Sequence, residues 1–164
     1  MTDLGTLGGA NSSTPWPQKN NLGLIVGHAQ GPGTDPSGEN WGAAYGCLNG
    51  FDGICDGNQN VQLGFVWQKS VGMTPLPTLS GNNSTATGAN NLGQVVGWDE
   101  TGKKDPNCVP PQQLEIKAVV YEPVGPVFYK PYALPTFPGD DLAVAFGIND
   151  NGRRSRERFF PRCC

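Results

Sequence analysis

The sequence predicts an all-β repeat fold of short four-stranded antiparallel units, arranged as an incomplete β-propeller, with a stacked β-solenoid as the alternative. Three observations predict it. A leucine-headed phrase occurs three times, as Leu4-Gly5-Thr6-Leu7-Gly8-Gly9, Leu76-Pro77-Thr78-Leu79-Ser80-Gly81 and Leu134-Pro135-Thr136-Phe137-Pro138-Gly139. A second phrase begins 16, 14 and 15 residues later: Asn20-Asn21-Leu22-Gly23-Leu24-Ile25-Val26-Gly27, Asn90-Asn91-Leu92-Gly93-Gln94-Val95-Val96-Gly97 and Asn149-Asp150-Asn151-Gly152. Gly (24) and Pro (15) are abundant and charged residues make only 15% of the 164, which suits short strands joined by tight turns and not a helical bundle. The two phrases keep their distance while the spacing between pairs varies. They therefore mark one supersecondary unit that stacks on its neighbours to bury its apolar face.

The chain thus reads as a single repeat domain over residues 1–152, with phrase pairs at 4–27, 76–97 and 134–152 and insertions at 30–60 and 99–113. The middle unit is the fullest. Ser84–Ala89 is small and polar, Gln94–Trp98 β-branched, Ile116–Glu122 apolar around Ala118-Val119-Val120-Tyr121, and Tyr129–Leu134 leads into the third phrase. In the preceding unit Gly64-Phe65-Val66-Trp67 takes the place of the apolar strand, and Met73–Leu76 leads into the second phrase. The Asn-Asn-Leu-Gly and Asn-Asp-Asn-Gly runs are hairpin turns, with glycine supplying positive φ. A closed propeller needs about four to eight blades. Three phrases leave the ring open, with strand edges free for self-association.

Charge divides the chain at one point. All five arginines lie between Arg153 and Arg162, so residues 1–152 carry −7 and the tail 153–164 carries +4. The tail also stands where the earlier units continue with an apolar strand, so it is expected to be disordered or aberrant. A first phrase beginning directly after Met1 reads as the middle of a longer protein. No apolar run reaches about 18 residues and no basic-then-apolar leader opens the chain, so neither a membrane span nor a signal peptide is expected in it. Nucleic acid is not an expected partner, and no phosphate-binding glycine motif occurs.

Asp3-Leu4-Gly5-Thr6-Leu7-Gly8-Gly9, Asn90-Asn91-Leu92-Gly93-Gln94-Val95-Val96-Gly97 and Gly147-Ile148-Asn149-Asp150-Asn151-Gly152 resemble the repeat wording of the HAF repeat family. Gly64-Phe65-Val66-Trp67 and Ala118-Val119-Val120-Tyr121 stand for its third element without the histidine. The resemblance spans the chain apart from the insertions and the tail. It implies a bacterial repeat protein, extracellular or at the cell surface, and it carries no catalytic residues.

Chemistry is to be sought first in the insertion at 30–60. Asp56, Asn58 and Asn60 alternate as calcium-loop ligands do, although Val61 and Trp67 stand where that loop needs Gly and Glu. A plain Asp/Asn-rich turn has the same composition. Cys47 and Cys55 are spaced for a small disulfide loop, with Cys108 as an alternative partner. Zinc has too few ligands, because His28 is the only histidine and no CxxC occurs. Trp16 and Trp41 sit in Pro/Gly-rich segments and are candidate ligand-stacking surfaces; Trp67, Trp98 and Tyr121 read as packing residues. Asp99-Glu100 and Asp140-Asp141 are paired carboxylates, but a glycosidase needs them facing across a cleft. The expected function is a non-enzymatic scaffold presenting loops to a polysaccharide or a protein. A piece of a propeller-type hydrolase or lyase, marked by facing acids, and a nonfunctional truncated repeat are the alternatives.

Overall fold

The computed structural model describes residues 3–14, 19–41, 59–108, 110–140 and 142–158. Their strands are β1 (Ser12–Ser13), β2 (Ile25–Thr34), β3 (Asn60–Gln68), β4 (Gly72–Pro75), β5 (Ser84–Ala89), β6 (Val95–Lys104), β7 (Leu114–Pro123), β8 (Tyr129–Ala133), β9 (Ala143–Ile148) and β10 (Arg154–Arg158). They form three open antiparallel sheets, ordered β1-β2-β3-β4, β5-β6-β7-β8 and β10-β9. The all-β class and the four-stranded unit are those the repeats predict.

Strand alternation explains how the sheets pack. On β6 and β7, Val95, Val119 and Tyr121 point one way and join Leu24, Val26 and Val66 of the first unit. Val96, Ala118 and Val120 point the other way and join Ala143 and Ala145 of β9. The middle sheet is therefore apolar on both faces, and full burial of each Val contributes about 1.5–3 kcal/mol. Backbones also approach closely: a Cβ added to Gly27 or Gly97 would collide with the carbonyl of Ser13 or Thr85, at equivalent places in the two units.

Asparagine ties the units together at their turns. Gly23, Gly93 and Gly152 hold φ of 87°, 81° and 71° at equivalent positions. In each turn the first Asn accepts two backbone N–H bonds on Oδ1, from Leu22 and Leu24, from Leu92 and Gln94, and from Asn151 and Arg153. The same side chain then reaches the next unit. Asn20 Nδ2 donates to the Asn90 carbonyl at 2.8 Å and Asn90 Nδ2 to the Asn149 carbonyl at 3.1 Å. Beside them Asn21 N–H donates to Asn91 Oδ1, and Asn91 N–H to Asp150 Oδ1.

Two boundaries differ from the sequence reading. β2 and β6 run on to Thr34 and Lys104, and β3 and β7 begin at Asn60 and Leu114, so the inserted segments are 35–59 and 105–113 rather than 30–60 and 99–113. Residues 30–34 and 100–104 lack apolar alternation but pair at their ends, Gln30 with Gln62 and Thr34 with Asn60, Glu100 with Ile116 and Lys104 with Leu114, with a register shift in between. The backbone also stays ordered past Gly152. Arg154–Arg158 pairs with β9 as an antiparallel strand, with Arg154 opposite Ile148 and the Arg154 guanidinium 3.8 Å from Glu122. Backbone donors and acceptors pair whatever the side chain, so a charge run did not end the sheet.

Candidate functional site

The alternation of β6 sends its two acids to opposite faces. Asp99 accepts the Leu79 N–H at 3.0 Å and the Tyr121 hydroxyl, holding the second leucine phrase onto the sheet. Burial pushes the Asp99 carboxyl up to about 7, and raises the Tyr121 phenol well above its ordinary value. Glu100 enters a seam between the first two units. Its Oε2 accepts the backbone N–H groups of Asn82 and Asn83 at 3.1 and 2.9 Å, and its Oε1 accepts the Trp41 indole N–H. Burial, with Glu39 close by, pushes its carboxyl up to about 8.

The root of the first insertion completes this seam. Asp35 follows β2 directly, and its Oδ1 accepts the N–H groups of Ser37 and Glu39 at 2.7 and 3.1 Å, forming an Asx turn. That turn points Glu39 at the second unit, where its Oε1 accepts the N–H of Leu114 at 2.8 Å and that of Gln113. Gln113 Nε2 answers with a 2.6 Å bond to the Ser37 carbonyl. Trp41 then lies 4.5 Å from Trp98, ring centre to ring centre, tilted by 44°. Asn83 stands in the middle: its Oδ1 accepts Gln62 N–H, and its Nδ2 donates to Asp35 Oδ2 at 2.7 Å and to both oxygens of Glu100. One oxygen each of Asp35, Glu39 and Glu100 lies within 4.8 Å of the others, and the three residues are 4%, 1% and 0% exposed.

The residues singled out in the sequence fare unevenly. Trp16, Asp56, Asn58, Cys47, Cys55 and Asp141 lie outside the described residues. Asn60 opens β3 opposite Thr34. Trp41 is no exposed platform: it is 2% exposed because the root of the insertion folds back onto Trp98. Cys108 is disulfide-bonded, and the other four cysteines of the chain lie outside the described residues. His28 is buried, which lowers its pKa to about 4. Asp35 and Glu39 escape sequence reasoning altogether. The available signal was Asp35-Pro36, repeated as Asp105-Pro106, since both aspartates cap their strand with the same Asx turn.

A second feature is open to solvent. A hollow of about 1440 Å³ lies at the turn end of the first two units, lined among others by Lys19, Asn20, Trp67, Gln68, Lys69 and Tyr129. Gln68 Nε2 bridges it at one side to the Pro126 carbonyl, 3.3 Å away. Trp67 occupies the place that Tyr121 holds in the next unit. Tyr121 is fully buried against the first sheet, whereas no described sheet packs on the corresponding face of Trp67, which is only half-buried.

No family model, curated protein or solved structure matches the chain.

Proposed function

We propose that the chain is a non-enzymatic repeat scaffold of the HAF type, its sheets the blades of an incomplete β-propeller, that binds carbohydrate in the hollow at its turn end. The observation that carries this reading is the half-buried Trp67 in a hollow also lined by Tyr129, Gln68 and two lysines. Indole and phenol faces offer apolar area at small entropic cost, and the lysine ammonium groups and the Gln68 amide oxygen beside them supply directional bonds to sugar hydroxyls. An exported or cell-surface location is supported by the disulfide at Cys108, a bond that persists in oxidising compartments.

The facing acids that would mark a hydrolase are present in the seam, yet they serve the fold. Each of Asp35, Glu39 and Glu100 accepts backbone N–H groups, and their exposure of 0–4% leaves no room for a sugar between them.

A glycan array probed with the full chain tests the reading. Retention of a defined glycan set, weakened tenfold or more by Trp67→Ala, is the expected result. A blank array, or equal retention by Trp67→Ala, would remove the hollow as the binding site.

A further inference from the structure

We propose that Asp35, Glu39 and Glu100 form a binding site for a divalent cation of the calcium class at the seam between the first two units. The argument rests on how the oxygens are used. Each acid is anchored through one oxygen by backbone N–H groups: Asp35 Oδ1 by Ser37 and Glu39, Glu39 Oε1 by Gln113 and Leu114, Glu100 Oε2 by Asn82 and Asn83. The second oxygen of each is thereby left for another partner. Asp35 Oδ2 receives Asn83 Nδ2, and Glu100 Oε1 receives Trp41 Nε1 and Asn83 Nδ2. Glu39 Oε2 is buried and receives no N–H bond, and the carboxyls of Glu39 and Glu100 lie within hydrogen-bonding reach of one another. Two buried carboxyls this close need a proton or a cation between them, and the N–H donors to all three acids are neutral amides and an indole, so no protein cation offsets the cluster.

Size and hardness fit the same ion. Three oxygens within 4.8 Å of one another share a point no more than about 2.8 Å from each, close to the 2.3–2.6 Å of calcium–oxygen bonds. Flexible calcium coordination accepts three carboxylates with water completing the shell, and the charge of the ion offsets the anionic cluster. Asn83 Nδ2 meets the same oxygens and is the group an arriving ion must displace from Asp35 and Glu100. Its Oδ1 is engaged by Gln62 N–H, which fixes the amide orientation. The position gives the ion a task. Asp35 and Glu39 belong to the root of the first insertion and Glu100 to β6, so the bound cation clamps that root onto the second unit.

The experiment uses the full chain, stripped with chelator and dialysed, in thermal melts with added calcium chloride. Calcium at about a hundredfold above its Kd raises the melting midpoint by about 5–10 °C, and Glu39→Gln, which keeps the Oε1 acceptor, loses most of that rise. Terbium supplies a second readout that does not depend on stability: bound in calcium's place beside Trp41, it gives indole-sensitised luminescence that calcium quenches and Glu39→Gln abolishes. If Glu39→Gln fails to fold, calcium quenching of wild-type terbium luminescence, reduced by Trp41→Phe, carries the test. A midpoint that ignores calcium, magnesium and manganese overturns the proposal. So does a calcium rise that Glu39→Gln retains.

Discussion

The most consequential single residues are the asparagines that open each turn. Asn90 is 3% exposed and does three jobs, accepting two N–H bonds of its own turn and donating to the carbonyl of Asn149. Asn90→Ala leaves these groups unpaired in a buried place, so unfolding free energy is expected to drop by about 2–4 kcal/mol in denaturant titration. Asn149 makes the matching intra-turn bonds but is exposed, and water replaces what Asn149→Ala removes. Its cost is expected to stay near 1 kcal/mol or less; equal losses at the two positions would mean that the inter-unit bond contributes nothing. These asparagines were legible in the sequence as phrases, because a turn constrains residues that are neighbours in the chain. Asp35 and Glu39 were not. Their partners lie up to 75 positions away, and a carboxylate accepting backbone N–H bonds leaves no mark on the sequence of the strand that donates them.

At the scale of elements, periodicity revealed strands where one face was apolar and missed strand where it was not. Ser84–Ala89 is legible to the residue because Asn83 and Asn90 bound it, whereas β2 and β6 reach Thr34 and Lys104 by backbone pairs that resume after a register shift and leave no apolar pattern. β10 is the extreme case, an arginine-rich strand recognised only by its hydrogen bonds to β9. Ending the chain at Gly152 is expected to speed amide exchange in β9 while leaving β6 and β7 protected; unchanged exchange in β9 would show that β10 contributes no protection there. The close approach of β5 to β6 predicts a larger effect inside the sheet. Gly97→Ala must push the Thr85 backbone away, and a loss of about 2–3 kcal/mol is expected in the same titration.

Across the whole molecule, burial of ionisable groups gives stability a definite pH dependence. His28, lowered from 6.5 to about 4, stays neutral in the fold, so its contribution is complete above pH 6.5 and is lost as pH falls toward 4. Asp99, raised from 3.8 to about 7, works in the opposite sense: unfolding free energy declines as pH rises from about 4 to 7 and levels beyond. Glu100 adds a decline in the same direction, ending near pH 8. The slopes oppose each other below pH 6.5, and only the acids act above it. In chelator, the melting midpoint should therefore fall between pH 6.5 and 8, and Asp99→Asn should flatten part of that fall. A midpoint that is level across this window would contradict the burial argument.

The architecture as a whole rests on the seam, where the root of an insertion is held on the neighbouring unit by carboxylates, an indole and an amide. A double-mutant cycle between Trp41→Phe and Glu100→Gln, read by chemical denaturation of the full chain, tests that most directly. If the Trp41 N–H and the Glu100 carboxyl act as one buried unit, the two losses are non-additive, with a coupling of about 1–3 kcal/mol. Additivity to within about 0.5 kcal/mol would mean that the two groups do not meet across the seam, and the insertion would not be anchored as described.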